Sequence, residues 1–410
     1  MRHFLLFLLR TAGLLARLFG GFRLRSLELQ DLEMAKYAKR ILSDAVLLND
    51  IPSPSDAETL RMGMISKRLN EFGISNIFTD EWGNHVALFP AYGTRRDFVL
   101  VMAEVGDADF GTLHNSVHLS KDRASGQGLG ERSLGAAALL VFAEFVQATD
   151  FHLNKNLLLL FTMSSSVDER EEAFKHFLNN WSDRISHAVL VRGTELGKLE
   201  TQHIGAYRLS LKVESEERKL LEPGSQPSSA VILGEIASKI GRLSQKGTST
   251  AVVNIAKLDA GSGFGHWASQ GEMDIEIVAE DEKVLDNFRS EVMENIKSAS
   301  EGLKVKVETL VRFRRSVGDP KLNEPLINIL KSTLNKVKVK AETGYVSDKI
   351  SLLNDRGIPA IALGITNSAG GPQNEAILLE PIETGFRQLL GVIEESSSVV
   401  EDERTEFYES

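Results

Sequence analysis

Residues 98–103 read FVLVMA and residues 157–161 read LLLLF, two runs without a single polar side chain. Two similar apolar runs lie at Ala188–Val191 and Ile358–Leu363. Strands that are apolar on both faces are typical of a central, mostly parallel sheet covered by helices. Helical segments such as Ser133–Val146 lie between these runs. The alternation predicts a three-layer α/β domain.

A different pattern occupies residues 206–315. In residues 209–213 and 273–277 apolar and polar residues alternate, so each of these strands has one solvated face. Amphipathic helices are predicted over 228–243 and 282–299, which together indicate a small α+β sandwich. The predicted organisation is an N-terminal extension over 1–26, a discontinuous α/β domain over 27–205 and 316–393, an inserted α+β domain over 206–315, and a loose acidic tail over 394–410.

Composition excludes several classes of protein. The 410 residues carry 47 basic and 57 acidic side chains, a net charge of −10, which disfavours nucleic acid as a partner. The absence of cysteine excludes disulfides, thiolate nucleophiles and Cys-ligated zinc. Residues 1–26 are hydrophobic but interrupted by arginines, so they predict either a basic amphipathic helix on a membrane surface or partner, or a mobile extension. We expect a cytoplasmic protein, with peripheral membrane contact as an open possibility.

Four local motifs follow one another along the chain. They are Ile51–Ser55 (IPSPS), Gly128–Ala137 (GLGERSLGAA), Val191–Gly197 (VRGTELG), and Ser347–Lys349 with Gly357–Gly364 (GIPAIALG). In their order and spacing they resemble the co-catalytic zinc peptidase family that includes aminoacylase, peptidase T and succinyl-diaminopimelate desuccinylase. The resemblance covers residues 35–393. It implies a split α/β domain with an inserted lid or dimerisation-like domain over 206–315, two metal ions at the carboxyl ends of the parallel strands and a glutamate as general base.

The residues that should perform this chemistry differ from the family pattern. Where the family has a His-x-Asp ligand pair this chain has Glu104, and at the bridging aspartate it has Glu131. The catalytic Glu-Glu pair is replaced within Ser164–Ser166, and the next acidic ligand is replaced by Arg192. The histidine expected shortly before Glu375 is missing as well. The vestigial positions are therefore Glu104, Glu131, Ser165, Ser166 and Arg192.

An arginine at a metal position has a direct electrostatic consequence. Its charge is effectively permanent, so it opposes a divalent cation in the same pocket. We therefore expect no catalytic residues and no cofactor, with the zinc pair lost. If buried, Glu104 and Glu131 would be strongly unfavourable without a counter-charge. The hypothesis is that Arg192 bridges both glutamates as a bidentate donor.

The most favoured function is a non-hydrolytic protein that binds a ligand or pairs with a partner, as a homodimer or heterodimer through the inserted domain. That domain also lacks two motifs of the family. Glu216–Leu221 stands where the family has Gly-His-Ser, and Gly263–Ala268 stands where it has an N-x-x-P substrate loop. One alternative is an active hydrolase of peptides or N-acyl amino acids, in which Glu104, Asp107 and Glu131 bind metal with Asp168 or Glu169. Another is a membrane-surface scaffold that acts through residues 1–26.

Weaker ligand-binding candidates remain. Arg312, Arg314 and Arg315 could clamp a carboxylate or phosphate, although a solvated strand end explains them as well. Asp348 belongs to the same group of candidates. The Gly-rich stretch 126–135 opens a helix and could bind an anion at its N-terminus. His114 and His118 are four residues apart but lie in a polar stretch that indicates an exposed hairpin or loop.

Overall fold

The computed structural model describes residues 31–51, 58–91, 97–106, 116–149, 151, 155–163, 171–219, 224, 226–245, 250–370 and 375–399. The predictions for residues 1–26, Asp107, His114, Ser165, Ser166, Asp168 and Glu169 lie outside this range. The fold divides into two compact units. The first takes the described parts of residues 1–197, 328–341 and 363–410, and the second takes those of 198–327 and 342–362.

The elements are numbered along the chain. The helices are α1 Asp31–Asp50, α2 Glu58–Glu71, α3 Gly135–Thr149, α4 Glu172–Asn180, α5 Ser229–Gln245, α6 Glu282–Ser300, α7 Glu324–Lys336, α8 Asp348–Asn354 and α9 Pro381–Val399. The strands are β1 Ile77–Thr79, β2 His85–Phe89, β3 Phe98–Val105, β4 His118–Leu119, β5 Arg123–Ser125, β6 Asn156–Met163, β7 Ile185–Arg192, β8 Lys198–Gln202, β9 Gly205–Ser215, β10 Ala251–Ala260, β11 Gln270–Ala279, β12 Val305–Arg315, β13 Glu342–Tyr345, β14 Ala360–Gly364 and β15 Ala376–Leu378. A π-helical turn, Leu129–Leu134, leads directly into α3.

The four apolar runs all become strands of one six-stranded sheet, in the order β1-β2-β6-β3-β7-β14. Strands β6, β3 and β7 are parallel neighbours, while β1 and β2 join antiparallel at one edge. The central strands are buried along nearly their whole length, as expected for strands that are apolar on both faces. The predicted mixed α/β fold with a mostly parallel central sheet is confirmed.

Helix α3 occupies the centre of the first unit. Eleven of its fifteen residues are buried, because its sequence is apolar on all sides and has no solvent-facing stripe. It contacts α1 together with β3 and β7. Helix α1 also contacts α9. The predicted loose tail is wrong for residues 394–399, which continue α9; Ser396 and Ser397 are buried because their small side chains allow close packing.

The second unit contains an antiparallel sheet in the order β10-β11-β9-β12. Helices α5 and α6 pack on one face of this sheet and share a single apolar core with it. The opposite face carries ion pairs such as Arg208–Glu276. The α+β sandwich expected over 206–315 lies wholly within this unit. The unit also includes the two-stranded parallel pair of β8 and β13.

None of the helices in the described part of the chain is both long and apolar enough to cross a membrane.

Candidate functional site

Three strands of the central sheet end side by side at their carboxyl ends. Glu104 on β3 pairs in register with Thr162 on β6. On the other side of β3, the last aligned pair with β7 is Met102 with Leu190, and two residues further along come Glu104 and Arg192. Since side chains alternate with a period of two, this register puts Glu104 and Arg192 at equivalent positions of adjacent strands. The vestigial positions of β3 and β7 therefore share one edge of the sheet.

Arg192 is engaged by a carboxylate from its own turn. Its Nη1 donates to Glu195 Oε2 at 2.5 Å, and the two side chains are 26% and 39% exposed. Glu195 has a φ of 71°, in the left-handed region that costs a non-glycine residue about 1 kcal/mol or more. Leu196 N–H donates to the Thr366 carbonyl at 2.9 Å and fixes the turn beyond it. A residue with a strained backbone thus holds its carboxylate against the guanidinium.

The turn after β7 packs tightly on the π-helical turn. A Cβ at Gly193 would lie 1.8 Å from the Gly130 carbonyl oxygen, so only glycine allows this approach. A Cβ at Gly135 would lie 2.7 Å from the Val191 carbonyl oxygen. Glycine is therefore required at Gly193 and Gly135, because the backbones of the two turns are in contact there.

Glu375 is the residue whose role sequence reasoning missed. Its carboxylate accepts hydrogen bonds from the backbone N–H groups of Gly128, Gly130 and Glu131 at 2.5, 2.8 and 3.2 Å. These are donors at the start of a helix, where partial positive charge favours an anion. The anion that the Gly-rich stretch 126–135 could have bound from solution is thus supplied by the chain itself. The available signal was a Gly-rich helix start together with a glutamate in the closing segment.

Glu131 does not fit the expectation of a buried acidic cluster. Its side chain is exposed, and its neighbour Arg132 is the buried charge of this turn. The assumption of unpaired buried charge is therefore wrong for Glu131, because the π-helical turn directs this side chain outward. Glu104, Glu131 and Arg192 each have interaction partners. The bridging of both glutamates by Arg192 remains a prediction.

Within the part of this edge that the structure describes, the groups do not fit a dinuclear metal centre. Among the residues that the structure describes, no three His, Asp or Glu side chains converge as metal ligands. Both oxygens of the Glu375 carboxylate are already used by backbone donors. The end of β7 presents a permanently charged guanidinium, which repels a cation.

The predicted arginine cluster bonds to three separate groups. Arg312 Nε donates to Ser210 Oγ at 2.9 Å, and Arg314 lies 3.9 Å from Glu282. Arg315 is buried and donates to the Ile204 carbonyl at 3.0 Å. A common ligand for the three residues is therefore not favoured. Asp348 begins α8, immediately after Ser347, whose N–H donates to Glu200 Oε2 at 3.0 Å.

The loop Gly263–Ala268, which the sequence pattern places at the family's substrate loop, connects β10 with β11. Phe264 at its tip is fully exposed, whereas Trp267 is covered by the Arg218 guanidinium, 3.4 Å from the ring centroid. This arrangement leaves one aromatic side chain free for contact and uses the other for local structure.

Four histidines of the described residues lie either on the surface or in the interior of the fold. His118 is exposed on β4, in agreement with the expected polar hairpin. Burial lowers the pKa of His85 and His203, and it lowers the pKa of His187 to about 3. His187 Nδ1 lies 3.0 Å from Ser186 Oγ. These three histidines are neutral groups of the interior rather than members of a ligand set.

Comparison with solved structures identifies the fold. The aminopeptidase PepT of Bacillus cereus superposes with a TM-score of 0.68 at 14% identity, covering 87% of this chain and 98% of that one. A tripeptidase of Staphylococcus aureus gives 0.69 at 14% identity, with coverages of 88% and 99%. The YXEP protein of Bacillus subtilis, described as a dinuclear metal binding peptidase of the M20 family, gives 0.65 at 13% identity, with coverages of 89% and 100%.

No family model and no curated protein matches the sequence. At these identities the superpositions establish the fold alone. They agree with the motifs in the sequence, since peptidase T is among the proteins that those motifs resemble. The chain therefore has the fold of the M20 peptidases, and the predicted relation to the co-catalytic zinc peptidases is confirmed at the level of that fold.

Proposed function

We propose that this chain is a non-catalytic binding or partner-pairing protein built on the M20 peptidase fold. The observation that supports this most directly is the donor set at the carboxyl edge of the central sheet. The Arg192 guanidinium lies at the end of β7, bonded to Glu195, where a metallopeptidase needs an anionic ligand. A fixed cation there disfavours the water-activating metal that this reaction class requires.

The experiment joins metal content to hydrolysis. Purified full-length protein is offered zinc, manganese and cobalt in turn, analysed for bound metal, and assayed against dipeptides, tripeptides and N-acyl amino acids. We expect under about a tenth of an equivalent of each metal and no turnover. The exposed Glu308→Ala serves as a control for Glu131→Ala. The alternative of a working hydrolase would be established by two results together. The wild type would bind one equivalent of metal that is lost in Glu131→Ala but not in Glu308→Ala, and it would hydrolyse a substrate.

A second copy of the chain is the partner that the second unit favours. Strand β10 is an edge of its sheet, and Val252 and Leu258 on it are 53% and 50% exposed. Lys257 and Asp259 flank Leu258, so a two-fold antiparallel pairing centred on Leu258 sets each lysine opposite the aspartate of the second copy. Such self-complementarity is what an isologous interface requires.

This pairing is tested by measuring mass in solution. We expect the wild-type chain to be a dimer by light scattering and Leu258→Lys to be a monomer, because the substitution places two ammonium groups against each other. Leu310→Lys is the matched control, since Leu310 is 54% exposed on the opposite edge strand, β12. A monomeric wild type, or a dimer that only Leu310→Lys disrupts, would exclude pairing through β10.

A further inference from the structure

The end of β7 is fixed by backbone contacts as well as by its ion pair. The Arg192 and Gly193 carbonyls accept hydrogen bonds from Ile365 N–H and Thr366 N–H, both at 3.0 Å. Gly364 lies so close to this turn that a Cβ there would be 2.0 Å from the Thr194 carbonyl oxygen. The main chain that carries Arg192 is therefore held by the segment that follows β14, while Glu195 holds its guanidinium.

The left-handed backbone of Glu195 needs a compensating interaction. A non-glycine residue persists in this conformation only where its surroundings hold it there. Glu195 is part of no helix or strand, and its carboxylate receives the Arg192 guanidinium at 2.5 Å. The ion pair and the strained turn thus support each other. The register also puts Glu104 on the adjacent strand at the position equivalent to Arg192.

We infer that the Arg192 guanidinium is a built-in cation that stabilises the carboxyl edge of the central sheet in place of metal, so that the fold of this edge is metal-independent. The inference deepens the proposed function and rests on it, since a site filled by an arginine is one that no longer needs a metal ion. It assigns Arg192 a structural role at the edge, with Glu195 and Glu104 as the carboxylates that it serves.

The test is thermal unfolding of the full-length chain with chelator, with added zinc or manganese, and with neither. We expect the wild-type midpoint to agree within about 1 °C in all three conditions, since no metal contributes. Arg192→Met should lower the midpoint by about 3 °C or more, and Arg192→Lys by less, because lysine keeps the charge but loses the fork. The control Arg208→Met removes an ion pair from the exposed face of the other sheet and should move it by under about 1 °C.

A charge reversal provides the complementary measurement. Arg192→Asp puts a carboxylate near Glu195 and Glu104, so we expect it to bind manganese or zinc in equilibrium dialysis where the wild type binds none. A wild-type midpoint that falls by several degrees on chelation, or an Arg192→Met midpoint equal to that of the wild type, would overturn the inference. Peptide hydrolysis by the wild type that survives chelation would instead overturn the proposed function and leave the metal-independent edge standing.

Discussion

One ion pair from each unit shows how differently buried and exposed charges are placed. In the first unit, Asp44 on α1 is fully buried and accepts a hydrogen bond from Arg68 on α2, whose side chain is 20% exposed. In the second unit, Arg208 and Glu276 form a pair at 2.6 Å with side chains 50% and 29% exposed. Burial raises the pKa of Asp44 even though Arg68 and Arg40 lie beside it. For Asp44, burial therefore outweighs the two neighbouring guanidinium groups in setting the direction of the pKa shift.

The largest effect is expected when the buried pair is broken. Arg68→Met should lower the free energy of unfolding by about 3 kcal/mol or more, because Asp44 loses its closest counter-charge inside the protein. The double variant Asp44→Asn with Arg68→Met removes the charge as well and should recover at least half of that loss. Urea denaturation of the three proteins measures both values. A loss under about 0.5 kcal/mol for Arg68→Met would mean that water or Arg40 solvates Asp44 adequately.

The next effect concerns a buried base in the same unit. Burial lowers the pKa of His187 to about 3, and the positive charge of Lys155 acts in the same direction. The unfolded chain protonates this ring near pH 6.5, so stability present above that pH is lost as the pH falls from about 6.5 toward 3. The slope that this group contributes is at most about 1.4 kcal/mol per pH unit.

The variant His187→Leu tests this pH dependence. Urea denaturation at pH 7 and pH 5 should show a smaller loss of stability on acidification than in the wild type. His203 and His85 still contribute to the loss of stability on acidification in this variant, because burial also lowers their pKa. An unchanged difference between the two pH values would show that the His187 ring is not kept neutral by its surroundings.

A smaller effect is expected at the helix start that Glu375 completes. Glu375→Gln keeps the shape but removes the charge facing three N–H groups, and should cost about 1–2 kcal/mol. The backbone amides of Gly128 and Gly130 should then exchange with deuterium faster. Glu172→Gln, on an exposed side chain of α4, is the control and should leave these amides unchanged. Equal protection in Glu375→Gln would mean that the carboxylate is dispensable to this turn.

The difference between the units also explains what could be predicted from the sequence. The apolar runs predicted the central strands correctly, because a strand buried on both faces consists almost entirely of apolar residues. The alternation around Leu211 and Ile275 likewise predicted the second sheet. The sequence offered a Gly-rich helix start and a glutamate in the closing segment, but it did not show that they meet, since the contact joins residues 245 positions apart and depends on a turn that two close glycine backbones create. The exposure of Glu131 was missed because an acidic position in a motif does not reveal where a π-helical turn directs it.

The smallest effect closes the comparison at the solvated sheet face. Arg208→Met should change the free energy of unfolding by under about 0.5 kcal/mol, because water screens this pair and also solvates each partner alone. Its stacking on Phe313, 5.0 Å from the ring centroid, is retained in part by the methionine side chain. In urea denaturation, raising the salt from a low concentration to 1 M should make the stabilities of wild type and variant converge, since the Debye length falls to about 3 Å. A loss equal to that of Arg68→Met would show that the exposed face is desolvated in solution, which only an interface covering it would produce.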